Sequence, residues 1–124
     1  MITEQELKER CTPEFIKWMC EFAEGFEWKQ LDRTHFQTYF NGNQIMGLHY
    51  FSDYFFLLIH RAVEGWNKLR DEDWKYIFIR PDNLIISTED GGREYPFKDY
   101  QSQSLTQAEC AMLHCLQDIF SEQI

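Results

Sequence analysis

Apolar side chains recur along this chain with two different periods, and the change of period separates helices from a small sheet. Thr3 and Glu6 have the capping-box spacing, which predicts a short helix over residues 4–10. Thr12 followed by Pro13 is a second helix start. Beyond it, Phe15, Trp18, Met19, Phe22 and Phe26 share one face at 100° per residue, opposite Glu14, Lys17, Glu21 and Glu24, so this helix is expected to end near Gly25. Residues 28–48 give a weaker signal: THFQTYF alternates as a strand does and NGN supplies turn chemistry, which predicts a short strand or an irregular segment. Over residues 49–69 the period is again helical, and Phe51, Phe55, Leu58, Ala62, Trp66 and Leu69 form one stripe that belongs in the core.

Between Trp74 and Tyr100 the period falls to two. KYIFIR and NLIIST are β-rich runs joined by Pro81 and Asp82, and Asp90-Gly91-Gly92 turns the chain back as REYPF. That pattern predicts a three-stranded antiparallel meander over about residues 75–98, with Pro96 on the edge because it cannot donate to a ladder. Thr106 and Glu109 repeat the capping box and open a last helix to about Glu122, with Leu105, Ala108, Met112, Cys115, Leu116 and Ile119 facing inward. The expected architecture is α+β, with three to four helices packed on one face of the meander in a single globular domain over residues 1–124.

Composition adds two points to that outline. Aromatic residues make up 17% of the chain, more ring surface than a small core needs, which suggests that some rings lie in a groove or an interface. The formal charge of −9 is spread over both halves, so direct binding to nucleic acid or to an anionic membrane is disfavoured, whereas a basic partner or an acidic imitation of DNA would suit it. Residues 54–59 form the most apolar run and are far too few for a membrane span, and the polar start carries no export signal. A cytoplasmic location is expected, and with it reduced thiols at Cys11, Cys20, Cys110 and Cys115.

Candidate chemistry gathers on two helices. On the long one, His49 with Asp53 and His60 with Glu64 make two imidazole–carboxylate pairs spaced i, i+4 on one face, the pairs being about 16 Å apart along the axis. A solvated face accounts for this pattern more simply than a shared metal or acid–base site. Phe56 and Leu57 lie on that same polar side, so either the rest of the domain covers them, the expected arrangement, or a partner does. On the last helix Cys110, His114 and Asp118 stack at i, i+4, i+8 as a thiolate, an imidazole and a carboxylate, but no Cys-x-x-Cys or His-x₃-His knuckle accompanies them, and chance spacing is the better reading. Gly91-Gly92 is a hairpin tip rather than a phosphate loop, and no catalytic motif is present.

These observations point to a small non-enzymatic protein-interaction domain without a cofactor. Its partner is another protein or a second copy, and its candidate interface residues are His49, Asp53, Phe56, Leu57, His60 and Glu64. An enzyme or metal-binding protein built on the His/carboxylate pairs, or on Cys110, His114 and Asp118, is the alternative, and an acidic DNA mimic is a third.

Overall fold

The computed structural model describes residues 1–45, 54–69, 75–88 and 91–122. Among these residues the architecture is α+β: four helices with two three-stranded antiparallel sheets and one short parallel pair. In chain order the elements are β1 (Ile2–Thr3), α1 (Glu4–Glu9), α2 (Pro13–Phe22), β2 (Phe26–Gln30), β3 (Phe36–Phe40) and β4 (Asn43–Ile45). After these come α3 (Phe55–Lys68), β5 (Ile77–Ile79), β6 (Asn83–Thr88), β7 (Gly91–Pro96), a 3₁₀ turn (Phe97–Asp99), β8 (Tyr100–Gln101) and α4 (Gln107–Glu122).

Each local start signal is used. The Thr3 hydroxyl accepts from the Glu6 amide at 3.1 Å, and the Thr12 hydroxyl accepts from the Phe15 amide at 3.2 Å, with Pro13 in the first turn of α2. At α4 the box closes in both directions: Glu109 N–H donates to Thr106 Oγ1 at 3.1 Å, and Thr106 N–H donates to Glu109 Oε1 at 2.8 Å. The ends of elements depart more from expectation. Helix α2 stops at Phe22 because Ala23 is extended, and Gly25, at φ +88°, turns the chain into β2, so Phe26 is buried from a strand rather than from the helix. Helix α3 likewise ends at Lys68, which leaves Leu69 58% exposed instead of in the core stripe.

The stretch after residue 28 belongs to a meander of its own, the first of two along the chain. Asn41 and Gly42 both have positive φ, and this two-residue turn pairs Phe40 with Asn43, the geometry that an Asn-Gly sequence favours. The inner face of this sheet carries Phe26, Thr38 and Ile45 into the core. The meander read from the sequence spans β5 to β7 in the order β5-β6-β7, with Pro96 at the end of an edge strand as expected. Arg80 N–H closes its first turn on Asn83 O at 2.8 Å, around Pro81 and Asp82; Asp90 lies outside the described residues.

Buried side chains from all four helices and both meanders form one cluster. A large share of the aromatic surplus is spent here: Phe15, Trp18, Phe22, Trp66 and Phe120 join α2, α3 and α4 with ring centroids 4.9–5.9 Å apart. Gly65 explains how α2 and α3 approach so closely, since a Cβ built there would stand 1.7 Å from the carbonyl oxygen of Phe22. Helix α3 is tied to β5 as well. The Trp66 indole donates to Lys75 O at 2.8 Å, and the Asn67 carboxamide both accepts from Ile77 N–H (2.8 Å) and donates to Ile77 C=O (2.9 Å), standing in for a neighbouring strand. Among the described residues no helix is long and apolar enough to cross a membrane.

Candidate functional site

Helix α3 turns Phe55, Leu58, Ile59, Ala62, Val63 and Trp66 inward, which sets its outer side. Phe56 stands there 47% exposed, so the expectation that this domain would cover it does not hold; Leu57 is half-buried against the core. The reason is geometric: Phe56 follows Phe55 by 100° around the axis, and with Phe55 buried no described element lies over the next position. Tyr54, two residues earlier and so on the other flank of the helix, is 41% exposed and touches Phe40 at a ring separation of 5.7 Å. His49 and Asp53, the first imidazole–carboxylate pair, lie outside the described residues.

The second pair is not formed as its spacing suggested. His60 Nε2 meets Glu109 Oε2 on α4 at 2.8 Å, while Glu64 is exposed. Burial alone would raise the Glu109 carboxyl, but the Thr106 amide and the His60 imidazole outweigh it and hold the pKa below the ordinary value. One carboxylate therefore caps α4 and clamps it to α3. No local signal could reveal His60–Glu109, whose partners are 49 residues apart.

On α4 the Cys110–His114–Asp118 stack divides. Cys110 is wholly buried, with its thiol pushed up to about 11 by burial, and so supplies no thiolate at neutral pH. His114 and Asp118 instead meet two tyrosines from the other side of the sheet–helix junction. The Tyr95 hydroxyl donates to Asp118 Oδ2 at 2.7 Å, and the Tyr100 hydroxyl bonds His114 Nδ1 at 2.8 Å. His114 Nε2 faces Asp118 Oδ2 at 3.8 Å, and Arg93 approaches the same oxygen at 3.9 Å while also pairing with Glu122. Burial lowers the His114 pKa, an effect that Asp118 partly offsets and Arg10 reinforces. Burial, with Asp118 and Cys115 next, drives both tyrosines well above their ordinary value, so each remains a neutral hydroxyl. An open depression of about 330 Å³ lies over the group, lined among others by Ile2, Arg93, Tyr95, Tyr100, His114 and Asp118.

Both ring nitrogens of His114 thus face a partner, and the arrangement is one that fastens α4 to β7 and β8. Among the described residues no three His, Cys, Asp or Glu side chains converge as a metal site would require. Tyr95 and Tyr100 were not singled out in the sequence; the alternation of REYPF places Tyr95 inward, but nothing in it names His114 or Asp118 as the acceptors. Comparison with known protein families, with curated proteins and with solved structures finds no match for this chain.

Proposed function

We propose that this chain is a non-enzymatic protein-interaction domain that docks a partner protein on the outer side of α3. The observation that carries the reading is that two rings at the start of the helix, Tyr54 and Phe56, are left 41% and 47% exposed, one on each flank of its outer side. A fully covered ring buries about 150–250 Å², so closing over the exposed half of Phe56 removes on the order of 100 Å² from water and contributes about 2–3 kcal/mol. Charge favours this side as well. Helix α3 carries Arg61 and Lys68, both facing Glu24, against its own Glu64, whereas α4 carries Glu109, Asp118 and Glu122 with no Lys or Arg, so the exposed rings sit on the less acidic of these two helices. Half-buried Leu57 borders the rings, and His60, pinned by Glu109, supplies a fixed polar rim.

A photo-crosslinking residue placed at position 56, with a control at exposed position 14 on α2, tests the reading in the cell of origin. The expected result is one discrete adduct from position 56 that position 14 does not give, followed by at least tenfold weaker binding of the purified adduct partner to Phe56→Glu. Equal adduct patterns from both positions, or none from position 56, would refute it.

A further inference from the structure

The first meander ends in an edge strand whose hydrogen bonding can be deduced residue by residue. Asn41 N–H donates to Gly25 O at 2.8 Å, and Leu31 N–H donates to His35 O at 2.9 Å. These bonds bracket β2 and mark one set of pairs as hydrogen-bonded. Alternation along the ladder then makes Glu27–Tyr39 and Lys29–Gln37 the bonded pairs, which turns the backbone groups of Phe26, Trp28 and Gln30 away from β3. The Phe26 amide is used by Ala23 O at 3.1 Å. Among the described residues no backbone group meets Trp28 or Gln30 from that side, and β2 is an edge of its sheet. The second meander treats its corresponding edge differently, since Asn67 occupies the backbone groups of Ile77 there.

We infer that β2 is a self-association strand, pairing antiparallel with β2 of a second copy about a two-fold axis through Trp28. The sequence Phe26-Glu27-Trp28-Lys29-Gln30 is self-complementary in that register and in no neighbouring one. With Trp28 opposite its symmetry mate, the two residues exchange both backbone hydrogen bonds, Gln30 N–H reaches Phe26 C=O of the second copy, and Glu27 faces Lys29 on both sides of the axis. Outward-pointing residues must pair with outward-pointing residues, so the alternative registers shift by two. One of them sets glutamate 27 against glutamate 27, and the other sets lysine 29 against lysine 29. Both side chains lie on the solvent face, at 61% and 59% exposure, where they meet each other only at 4.0 Å and Lys29 lies over the Tyr39 ring, so the match exchanges these contacts for closer ones across the axis. The strand itself has no net charge, so the repulsion expected between two bodies of charge −9 is least where β2 meets β2. This pairing uses a different surface from α3 and stands or falls separately from the docking reading.

Sedimentation of the intact protein between about 1 and 500 µM tests it, with a reversible monomer–dimer equilibrium of Kd on the order of 10–100 µM expected for so small a contact. Lys29→Glu and Glu27→Lys should each weaken the dimer at least about tenfold, because each sets like charges opposite one another twice. Mixing the two variants should restore association as a heterodimer, since glutamates at 27 and 29 of one chain then meet lysines at 29 and 27 of the other. Both positions are on the solvent face, so the fold is unaffected, and circular dichroism of each variant checks this. A wild-type chain that stays monomeric overturns the pairing and leaves the edge to a foreign strand. A dimer that ignores both charge reversals, or a mixture that fails to associate, overturns it too. Loss of the dimer in Phe56→Glu with retention in the β2 variants would assign self-association to α3 instead, and likewise overturns it.

Discussion

Glu4 shows what a single side chain can do in this molecule. It is 1% exposed and accepts from the amides of Gln103 (2.8 Å), Ser104 (3.3 Å) and Leu105 (2.7 Å) and from the Ser104 hydroxyl (2.7 Å), with the Lys8 ammonium at 2.8 Å. Burial would raise its pKa, but Lys8, Ser104 and the backbone amides prevail and hold it at about 2, against an ordinary value of 4.5. A carboxylate depressed in the folded state stabilises the fold above its unfolded pKa and loses that contribution as pH falls through the folded one. The shift corresponds to about 3 kcal/mol, present above about pH 5 and gone near pH 2. Glu4→Gln should therefore lower stability by that order at pH 7 and by little at pH 2.5, as urea titrations at the two pH values will read. His114 works in a higher window: its lowered pKa means that the fold favours the neutral ring, so stability falls as pH drops below 6.5. His114→Gln should remove that first decline and keep the one due to Glu4. Neither group could be recognised in the sequence as buried. The caps at Thr3, Thr12 and Thr106 could, because both partners lie within four residues, whereas Glu4 meets residues 99 to 101 positions away.

Between whole elements, close approach decides more than propensity does. Alanine favours a helix over glycine by about 1 kcal/mol, yet Gly65→Ala should destabilise by at least about 2 kcal/mol, because the added methyl meets the Phe22 carbonyl and pushes α2 off α3. Thermal denaturation will show a lowered Tm; an unchanged or raised one contradicts the packing. Asn67→Leu removes two bonds to the backbone of Ile77, at a cost of about 2 kcal/mol, and also bares the β5 edge, so aggregation on heating should accompany the loss. The second meander was legible because Leu84 and Ile86 point inward at alternate positions, with Ile77 and Tyr95 inward opposite them, although Ile79 on the face of Ile77 is 53% exposed. The first was half legible: Asn41-Gly42 is a strong hairpin signal, but Phe26 also fits the apolar face of the preceding helix, and Trp28, Phe36 and Phe40 are each only half-buried. The outer face of α3 was legible as a stripe, but its exposure was not, because burial depends on what other elements lie across it.

At the scale of the molecule, the four cysteines report on whether all these parts share one interior. Cys20, Cys110 and Cys115 are buried and Cys11 is half-buried, and burial holds Cys11, Cys20 and Cys115 up at about 12. A thiol reagent at neutral pH should label the native chain slowly, and in rising denaturant all four sites should become reactive in one transition, as a single cooperative core requires. Separate transitions for Cys20 and for Cys110 would divide the chain into two units. The parallel pair of β1 and β8, together with the grip of Glu4 on residues 103–105, has one more effect. A nascent chain leaving the ribosome holds the first half of that lock long before the second half has been made, so α1 must wait unanchored while about a hundred further residues are added. Closure of the interior is thus deferred until α4 has been made, and slow translation of the region that encodes α4 would lengthen the time during which the aromatic faces of α2 and α3 stay open to chaperones.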